Sequence, residues 1–224
     1  MISVLTLTYQ RHQLLEEAIK SFLRQDIQGC EMVIINDCPD VKYHIPNNNI
    51  RVINVDKRLS SVGKKLEFGY QLCKNPYIYR LDDDDLLAPD GLATVITSIA
   101  ATPINYDIYR SKGHYYFCHN EYKGIHNSIN NGNCYKKTYL DKIKFPEKSG
   151  DEDISLTFEN NGTIYTIDKP TMIYRWGMNT YHISGMGINP TDVILANTDN
   201  IVDKEEGIIE LKPHFKEDYY LKLK

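Results

Sequence analysis

Four consecutive aspartates at positions 82–85 are the feature of this sequence with the clearest chemistry, and they directly follow an apolar and aromatic segment at residues 77–79. At an effective dielectric constant of about 20, two like charges about 4 Å apart repel each other by about 4 kcal/mol. A fold tolerates such a run when the carboxylates are fully solvated or when a cation neutralises them. Mg²⁺ and Mn²⁺ prefer oxygen ligands and often share them with substrate phosphates. The run therefore predicts a divalent-cation site, with a solvated acidic turn as the alternative.

Two further acidic features could take part in the same chemistry. Asp37 ends an apolar segment, and residues 150–153 read Gly-Asp-Glu-Asp. In a dinucleotide-binding fold an acid after the second strand would bind a ribose hydroxyl, but that fold also needs a glycine-rich loop after its first strand. Residues 8–12 contain no glycine, and no phosphate-loop signature is present. The phosphates of a bound nucleotide would have to be held in another way, and carboxylates with a divalent metal provide one.

The hydrophobic pattern predicts an α/β fold that would bring these acids together. Strands are expected over residues 2–7, 31–36, 50–55 and 77–81, and helices over 13–24, 63–74 and 92–101. Such alternation with short connections predicts a doubly wound, mostly parallel central sheet flanked by helices, which binds its ligands at the carboxyl ends of the strands. The second half is less regular, with strands expected over 106–110, 114–118 and 163–167 and short helices over 137–142 and 154–159. We expect a single domain over residues 1–188, followed by an extension or linker over 189–224.

Composition narrows the class of protein. The 224 residues are 42% hydrophobic and 25% charged, which is ordinary for a globular domain. The net charge of -4 gives no footprint for nucleic acid, which usually binds a basic face. Five scattered cysteines favour reduced thiols and a cytoplasmic location over a disulfide framework. We find no signal peptide and no apolar run near the roughly 20 residues of a membrane span, so we expect neither.

Four segments together resemble the family 2 glycosyltransferases of GT-A fold. Residues 2–11 resemble the family's opening strand, 34–37 its second-strand acid, 81–85 its D-x-D motif and 150–153 its late E-D motif. They occur in the family's order across about residues 1–185. The resemblance implies a metal-dependent enzyme that uses Mn²⁺ or Mg²⁺ to transfer a sugar from a UDP-sugar to a glycan acceptor.

Within the family, the chain most resembles the rhamnosyltransferase domains of chlorovirus proteins that build capsid glycans. That closer resemblance implies an L-rhamnosyl donor, a location in the host cytoplasm and further domains of a longer polypeptide. The chain also departs from the family pattern, because the segment at residues 61–69 is short and lacks the usual asparagine.

The resemblance also implies roles for individual residues. The residues expected to bind the nucleotide sugar follow predicted strands or lie near the start of a predicted helix. They are Thr8, Tyr9, Arg11, Asp37, Lys65, Asp82 and Asp83. Within that group, Tyr9 would stack near the uracil, Asp37 would accept its N–H, and Lys65 would contact the diphosphate. The implied metal ligands are Asp82, Asp84 and His182, and the implied general base is Asp153. Residues 174–182 resemble the family's closing loop.

Simple chemistry agrees with this division of roles. Transfer from a nucleoside diphosphate sugar must stabilise the departing diphosphate, which a metal ion does, and must deprotonate the attacking hydroxyl, which a separate carboxylate does. A single base opposite the leaving group gives one displacement and hence inversion at the anomeric carbon. Asp153 has a structural alternative as the cap of a helix that begins near Ile154. His182 could equally be an ordinary core or surface histidine.

Two other classes of protein remain open at this stage. A sugar-phosphate nucleotidyltransferase also binds metal through aspartates on an α/β sheet, but it normally has a glycine-rich basic loop after the first strand, which residues 8–12 lack. The other class is a non-catalytic nucleotide-sugar-binding domain that scaffolds a longer polypeptide. Metal-dependent hydrolysis of a UDP-sugar would separate an enzyme from the non-catalytic domain.

Overall fold

The computed structural model describes residues 1–127, 131–148, 152–176 and 206–223. Within these residues the strands are β1 (Ile2–Thr8), β2 (Glu31–Asn36), β3 (Val41–His44), β4 (Ile50–Asn54), β5 (Tyr77–Arg80), β6 (Leu86–Leu87), β7 (Ile108–Ser111), β8 (Gly113–Cys118), β9 (Glu121–Asn127), β10 (Cys134–Lys136), β11 (Ile164–Ile167), β12 (Met172–Trp176) and β13 (Gly207–Glu210). The helices are α1 (His12–Leu23), α2 (Val62–Leu72), α3 (Gly91–Ala101), α4 (Lys137–Leu140) and α5 (Glu152–Ile154). The last of these continues as a π-helical turn over Ser155–Glu159, and a 3₁₀ helix spans Tyr219–Leu223.

The described strands form a central sheet of seven strands in the order β11-β7-β10-β5-β1-β2-β4. β1 pairs in parallel with both β2 and β5, β2 with β4, and β7 with β11. Only β10 runs antiparallel, between β5 and β7. The predicted mostly parallel sheet is thus confirmed, and the strands that precede Tyr9, Asp37 and Leu81 end at one common edge.

The central strands are buried on both faces because their side chains alternate between two helical layers. Ile2 and Val4 pack into the layer of α1 and α3, whereas Leu5 and Leu7 pack into the layer of α2 and α4. This explains why β1 is buried along its whole length. The helices bury one face each, as their spacing of apolar residues predicts. No helix in the described parts of the chain has the length and apolarity needed to cross a membrane.

A second sheet, in the order β6-β12-β8-β9, lies beyond the acidic run. Residues 174–176, which resemble the start of a closing loop in sequence, instead belong to β12, which pairs in parallel with β8 and antiparallel with β6. The strand forms because Ile173 and Arg175 turn to the buried side, where Ile173 packs with Leu86 and Phe117. The rest of the expected loop, residues 177–182, lies outside the described residues.

The described part of the C-terminal region packs against the domain. β13 pairs in parallel with β3, and the backbone N–H of Lys216 donates to Glu17 on α1 at 2.9 Å. Tyr219 is completely buried against Phe117. Residues 206–223 therefore contribute to the layer that covers α1 and the second sheet.

Candidate active site

The acidic run leaves the carboxyl end of β5 and turns inward rather than into solvent. Asp83, Asp84 and Asp85 are completely buried, and Asp82 is partly buried. One carboxylate oxygen from each of Asp82, Asp84 and Asp85 lies within 4.8 Å of the other two. Three oxygen ligands at this spacing suit a hard divalent cation. The structure brings together two of the predicted ligands, Asp82 and Asp84, and adds Asp85.

The sequence did not predict Asp85 as a metal ligand, although Asp85 belongs to the same run of aspartates. The reason is that the D-x-D motif is complete without it. The third predicted ligand, His182, lies outside the described residues.

Arg11 neutralises the middle of the acidic run. It lies just before α1, and its guanidinium donates to Asp84 at 3.1 Å and to Asp83 at 3.3 Å. Burial raises the pKa of Asp83 to about 6, and the charge of Arg11 opposes that rise. Arg11 and Asp83, both predicted to contact the nucleotide sugar, are therefore bonded to each other in the interior. Their contact with a nucleotide stays a prediction.

Arg175 holds the end of the acidic run from the second sheet. Its backbone N–H donates to Asp85 at 3.0 Å, and its guanidinium donates to the backbone carbonyl of Asp84 and, at 2.6 Å, to Glu17. Asn131 donates to the other oxygen of Asp85 at 2.6 Å. Arg175, Glu17 and Asn131 have no predicted role of their own from the sequence. They are far from the run along the chain, and no local pattern links them to it.

Arg80, the last residue of β5, connects the D-x-D segment with the E-D segment. Its guanidinium lies 3.2 Å from Asp82 and 2.9 Å from Glu152, and it also forms an ion pair with Asp153. Arg80 and Glu152 are buried, whereas the side chains of Asp82 and Asp153 keep 15% and 16% exposure. The two partly exposed carboxylates therefore share one buried cation. α5 begins at Glu152, so Asp153 lies within its first turn and not in the cap position that the structural alternative expected. A carboxylate in the first turn still stabilises the start of a helix, so a structural role for Asp153 stays open in this form.

The residues predicted to bind the nucleobase lie at the ends of β1 and β2. Tyr9 is partly buried, and the Arg58 guanidinium lies over its ring at 3.6 Å from the centroid. Asp37 is completely buried, accepts the backbone N–H of Leu59 at 2.8 Å and forms an ion pair with the equally buried Lys65. Burial lowers the pKa of Lys65 to about 8, against the opposing charge of Asp37.

The structure thus brings Tyr9, Asp37 and Lys65 together and adds Arg58, which no motif in the sequence indicates. The Lys65 ammonium is paired with Asp37 here, and its contact with a diphosphate stays a prediction. Thr8 is completely buried at the end of β1, where its hydroxyl is close enough to Asp83 to lower the pKa of that carboxyl, a smaller effect than that of burial.

These observations define an α/β protein with a carboxylate-rich site at the carboxyl edge of a mostly parallel sheet. The Glycosyl transferase family 2 model matches residues 3–154, which is more than half of the chain. The chain therefore belongs to this family.

Known proteins with similar sequence or structure agree with that assignment. The Escherichia coli protein WcaA, whose name assigns it to colanic acid biosynthesis as a glycosyl transferase, is 31% identical over 104 residues, which are 43% of this chain and 37% of WcaA. The chain thus spans less than half of that relative.

Two solved structures resemble the chain in fold. Residues 1–349 of Staphylococcus aureus TarS in complex with UDP-GlcNAc superpose with a TM-score of 0.64 at 17% identity, covering 92% of this chain and 68% of that one. The mannosyltransferase PcManGT from Pyrobaculum calidifontis, in complex with GDP-Man and Mn²⁺, gives a TM-score of 0.57 at 13% identity, covering 77% and 56%. At these identities the likeness concerns the fold alone, and it confirms the expected GT-A-type architecture.

Proposed function

We propose that this chain is a metal-dependent, inverting glycosyltransferase that transfers a sugar from a UDP-sugar to a glycan acceptor. The observation that carries the proposal is the position of Asp153. It shares the Arg80 guanidinium with Asp82, which belongs to the cluster of three carboxylates. A candidate base and a candidate metal site therefore lie next to each other, as a single-displacement transfer requires.

Each residue has a defined task in this proposal. Asp82, Asp84 and Asp85 would hold Mn²⁺ or Mg²⁺, which would neutralise the charge on the departing diphosphate. Asp153 accepts the proton of the attacking acceptor hydroxyl. Arg80 is a positioning residue, because it holds the Asp153 carboxylate at a fixed place relative to Asp82. One base and one displacement give inversion at the anomeric carbon.

Tyr9 and Asp37, at the ends of β1 and β2, support uridine as the nucleoside. A buried carboxylate can accept the uracil N3–H, and the tyrosine ring offers a face for stacking. The TarS neighbour was crystallised with UDP-GlcNAc, which fits this assignment, and the PcManGT neighbour was crystallised with a nucleotide sugar and Mn²⁺.

The finer identity of the donor and the setting of the reaction rest on the sequence resemblance and on the state of the cysteines. The resemblance to chlorovirus rhamnosyltransferase domains supports an L-rhamnosyl donor, a viral glycan product and a location in the host cytoplasm. All five cysteines are free thiols in this structure, which also fits a reducing compartment.

Release of UDP from nucleotide sugars tests the proposal. Purified protein would be incubated with UDP-GlcNAc, UDP-glucose and UDP-L-rhamnose, with Mn²⁺, Mg²⁺ or EDTA. We expect UDP release from at least one donor that requires a divalent cation and is lost in Asp84→Asn. The matched control is Asp168→Asn, which removes a carboxylate with 94% exposure far from the run along the chain and should leave the rate unchanged.

Two results would contradict the proposal. One is UDP release that persists in EDTA, and the other is an Asp84→Asn variant as active as the control. Metal-dependent UDP binding without any release would favour the non-catalytic nucleotide-sugar-binding domain.

A further inference from the structure

The outer face of the second sheet carries a cluster of aromatic rings that the proposed chemistry does not use. Tyr174 on β12 lies opposite Tyr116 on β8, and His114 on β8 lies opposite His126 on β9. Because side chains alternate along a strand, His114 and Tyr116 share one face, while Phe117 points to the opposite, buried face. The Tyr116 and Tyr174 rings are nearly parallel at 17°, with centroids 6.0 Å apart.

These rings surround a cleft of about 580 Å³. Its lining combines aromatic, apolar and hydrogen-bonding groups, and consists of His114, Tyr116, Ile125, His126, Asn127 and Tyr174. A volume between about 300 and 1,000 Å³ with a few polar groups among apolar walls is typical of sites for small molecules. The cleft is thus large enough for a ligand.

His114 supplies an independent indication that a ligand binds there. The residue is only 4% exposed, and within the described part of the chain its Nδ1 atom has no hydrogen-bond partner. Burial, with the nearby His126, lowers the pKa of His114 to about 4, so the ring is neutral near pH 7. A neutral imidazole has one donor and one acceptor, and a buried polar atom without a partner destabilises the folded state. A ligand hydroxyl, which both donates and accepts, would satisfy it.

The cleft adjoins the carboxylate cluster. Tyr174, in its wall, precedes Arg175, whose backbone N–H donates to Asp85 at 3.0 Å. Burial raises the pKa of Tyr174, and the negative charges of Asp85 and Asp84 raise it further. A molecule in the cleft would therefore lie beside the candidate metal site.

We propose that this cleft binds a saccharide ring of the acceptor, an inference that rests on the proposed function. A sugar ring has an apolar C–H face that packs on aromatic rings and a rim of hydroxyls that pair with neutral polar groups. The cleft offers both, with Tyr116 and Tyr174 for the ring face and His114 and Asn127 for the hydroxyls. Tyr9 and Asp37 follow strands of the other sheet, so the cleft does not compete with the proposed place of the nucleoside.

The single tryptophan of the chain provides a reporter for this site. Trp176 follows Tyr174 by two residues on β12, so both project from the same face, and its side chain is 44% exposed. The protein would be titrated with the neutral trisaccharides cellotriose, maltotriose, mannotriose and chitotriose, without a nucleotide sugar, while Trp176 emission is recorded. We expect a saturable change with at least one trisaccharide. Its dissociation constant should rise about tenfold or more in Tyr116→Ala and change little in Tyr116→Phe, which keeps the ring.

Tyr165→Ala is the matched control, because Tyr165 is also a partly buried tyrosine but belongs to the central sheet. It should leave saccharide binding unchanged. The inference is overturned if no trisaccharide alters Trp176 emission, or if Tyr116→Ala binds as the control does. A variant that only melts at a lower temperature would assign the rings to packing. A response to phosphatidylcholine vesicles that contain diacylglycerol, but to no trisaccharide, would overturn the inference and make the cleft a lipid site.

A parallel measurement separates this inference from the proposed function. UDP binding in the presence of Mn²⁺ is followed by thermal shift in the same proteins, since a ligand stabilises the folded state by mass action. Trisaccharide binding without UDP binding would refute the proposed donor and keep the cleft as a saccharide site. UDP binding without trisaccharide binding would refute the cleft alone.

Discussion

Replacing Arg80 by methionine should lower the free energy of unfolding of the protein, by an amount that depends on pH. Arg80 is the shared partner of Asp82, Glu152 and Asp153, and its own side chain is only 6% exposed. Methionine keeps much of the volume of the side chain but removes the cation. Three carboxylates would then face one another without the charge that now separates them.

The size of the effect follows from their burial. Removing one partner of a buried ion pair typically costs about 3–5 kcal/mol, because the remaining charge is left uncompensated. Glu152 is 7% exposed and belongs to that regime, whereas the exposure of Asp82 and Asp153, near 15%, lets water screen part of their repulsion. We therefore expect Arg80→Met to lower the free energy of unfolding by about 3–5 kcal/mol at pH 7.5. Arg80→Lys keeps one positive charge and should lose less.

The pH dependence gives the prediction its sharpest test. Without Arg80, the folded variant binds protons more readily than its unfolded chain does, so its stability relative to the wild type improves as the pH falls. Urea denaturation in EDTA at pH 7.5 and at pH 5 would measure this. The control is Lys112→Met, which removes a cation that is 72% exposed and should change stability by less than about 1 kcal/mol. A loss of unfolding free energy below about 1 kcal/mol in Arg80→Met would refute this account of Arg80 and its three carboxylate partners. A loss that is equal at both pH values would refute it as well.

Three further predictions concern the roles of single residues. The asparagine of Asp153→Asn cannot accept a proton, so the rate of sugar transfer should fall about 10²-fold or more while UDP affinity stays the same. NMR of the wild-type product should show an inverted anomer. A near-normal rate in Asp153→Asn would leave Asp153 with only a structural role at the start of α5. UDP should bind more tightly than CDP by about 1–3 kcal/mol in calorimetry, because cytosine offers Asp37 no N3–H, and equal affinities would remove Asp37 from that role. The pKa of Lys65 is lowered to about 8 by burial, so the unfolded chain holds its proton to higher pH. The wild type should therefore gain stability relative to Lys65→Met between about pH 8 and 10, as urea titrations would show, and a constant difference would contradict this.

The sheet could be predicted from the sequence because its signals are local. Alternation of apolar strands with amphipathic helices is visible within windows of about a dozen residues, and β1, β2, β4 and β5 lie within about a residue of the expected ranges. β3 and β13 were missed because each is a short strand whose pairing joins residues about 166 positions apart, as between Val41 and Gly207. Such pairing depends on chain closure, which no local pattern encodes.

The candidate site, too, could be predicted only where its residues are neighbours in the sequence. The aspartates could be found because they are adjacent in the sequence, but their partners could not. Arg11 and Arg175 reach the run from positions 73 and 91 residues away, and Arg80 reaches Glu152 across 72 residues. The sequence shows 26 basic residues, and nothing local distinguishes these three from the others. Only the folded chain selects them.

The three arginines help to decide whether water or a cation compensates the charge of the four adjacent aspartates. Water alone cannot, because three of the four aspartates are completely buried. The arginines neutralise part of the run, but Arg80 is shared with Glu152 and Asp153, and Arg175 is shared with Glu17. Among the residues that the structure describes, seven carboxylates thus face three guanidinium groups, a formal charge of about -4 in a largely buried cluster, where like charges repel strongly. A divalent cation at Asp82, Asp84 and Asp85 would halve that charge, so the electrostatics of the described residues favour the same ion that transfer of a sugar from a nucleoside diphosphate would use.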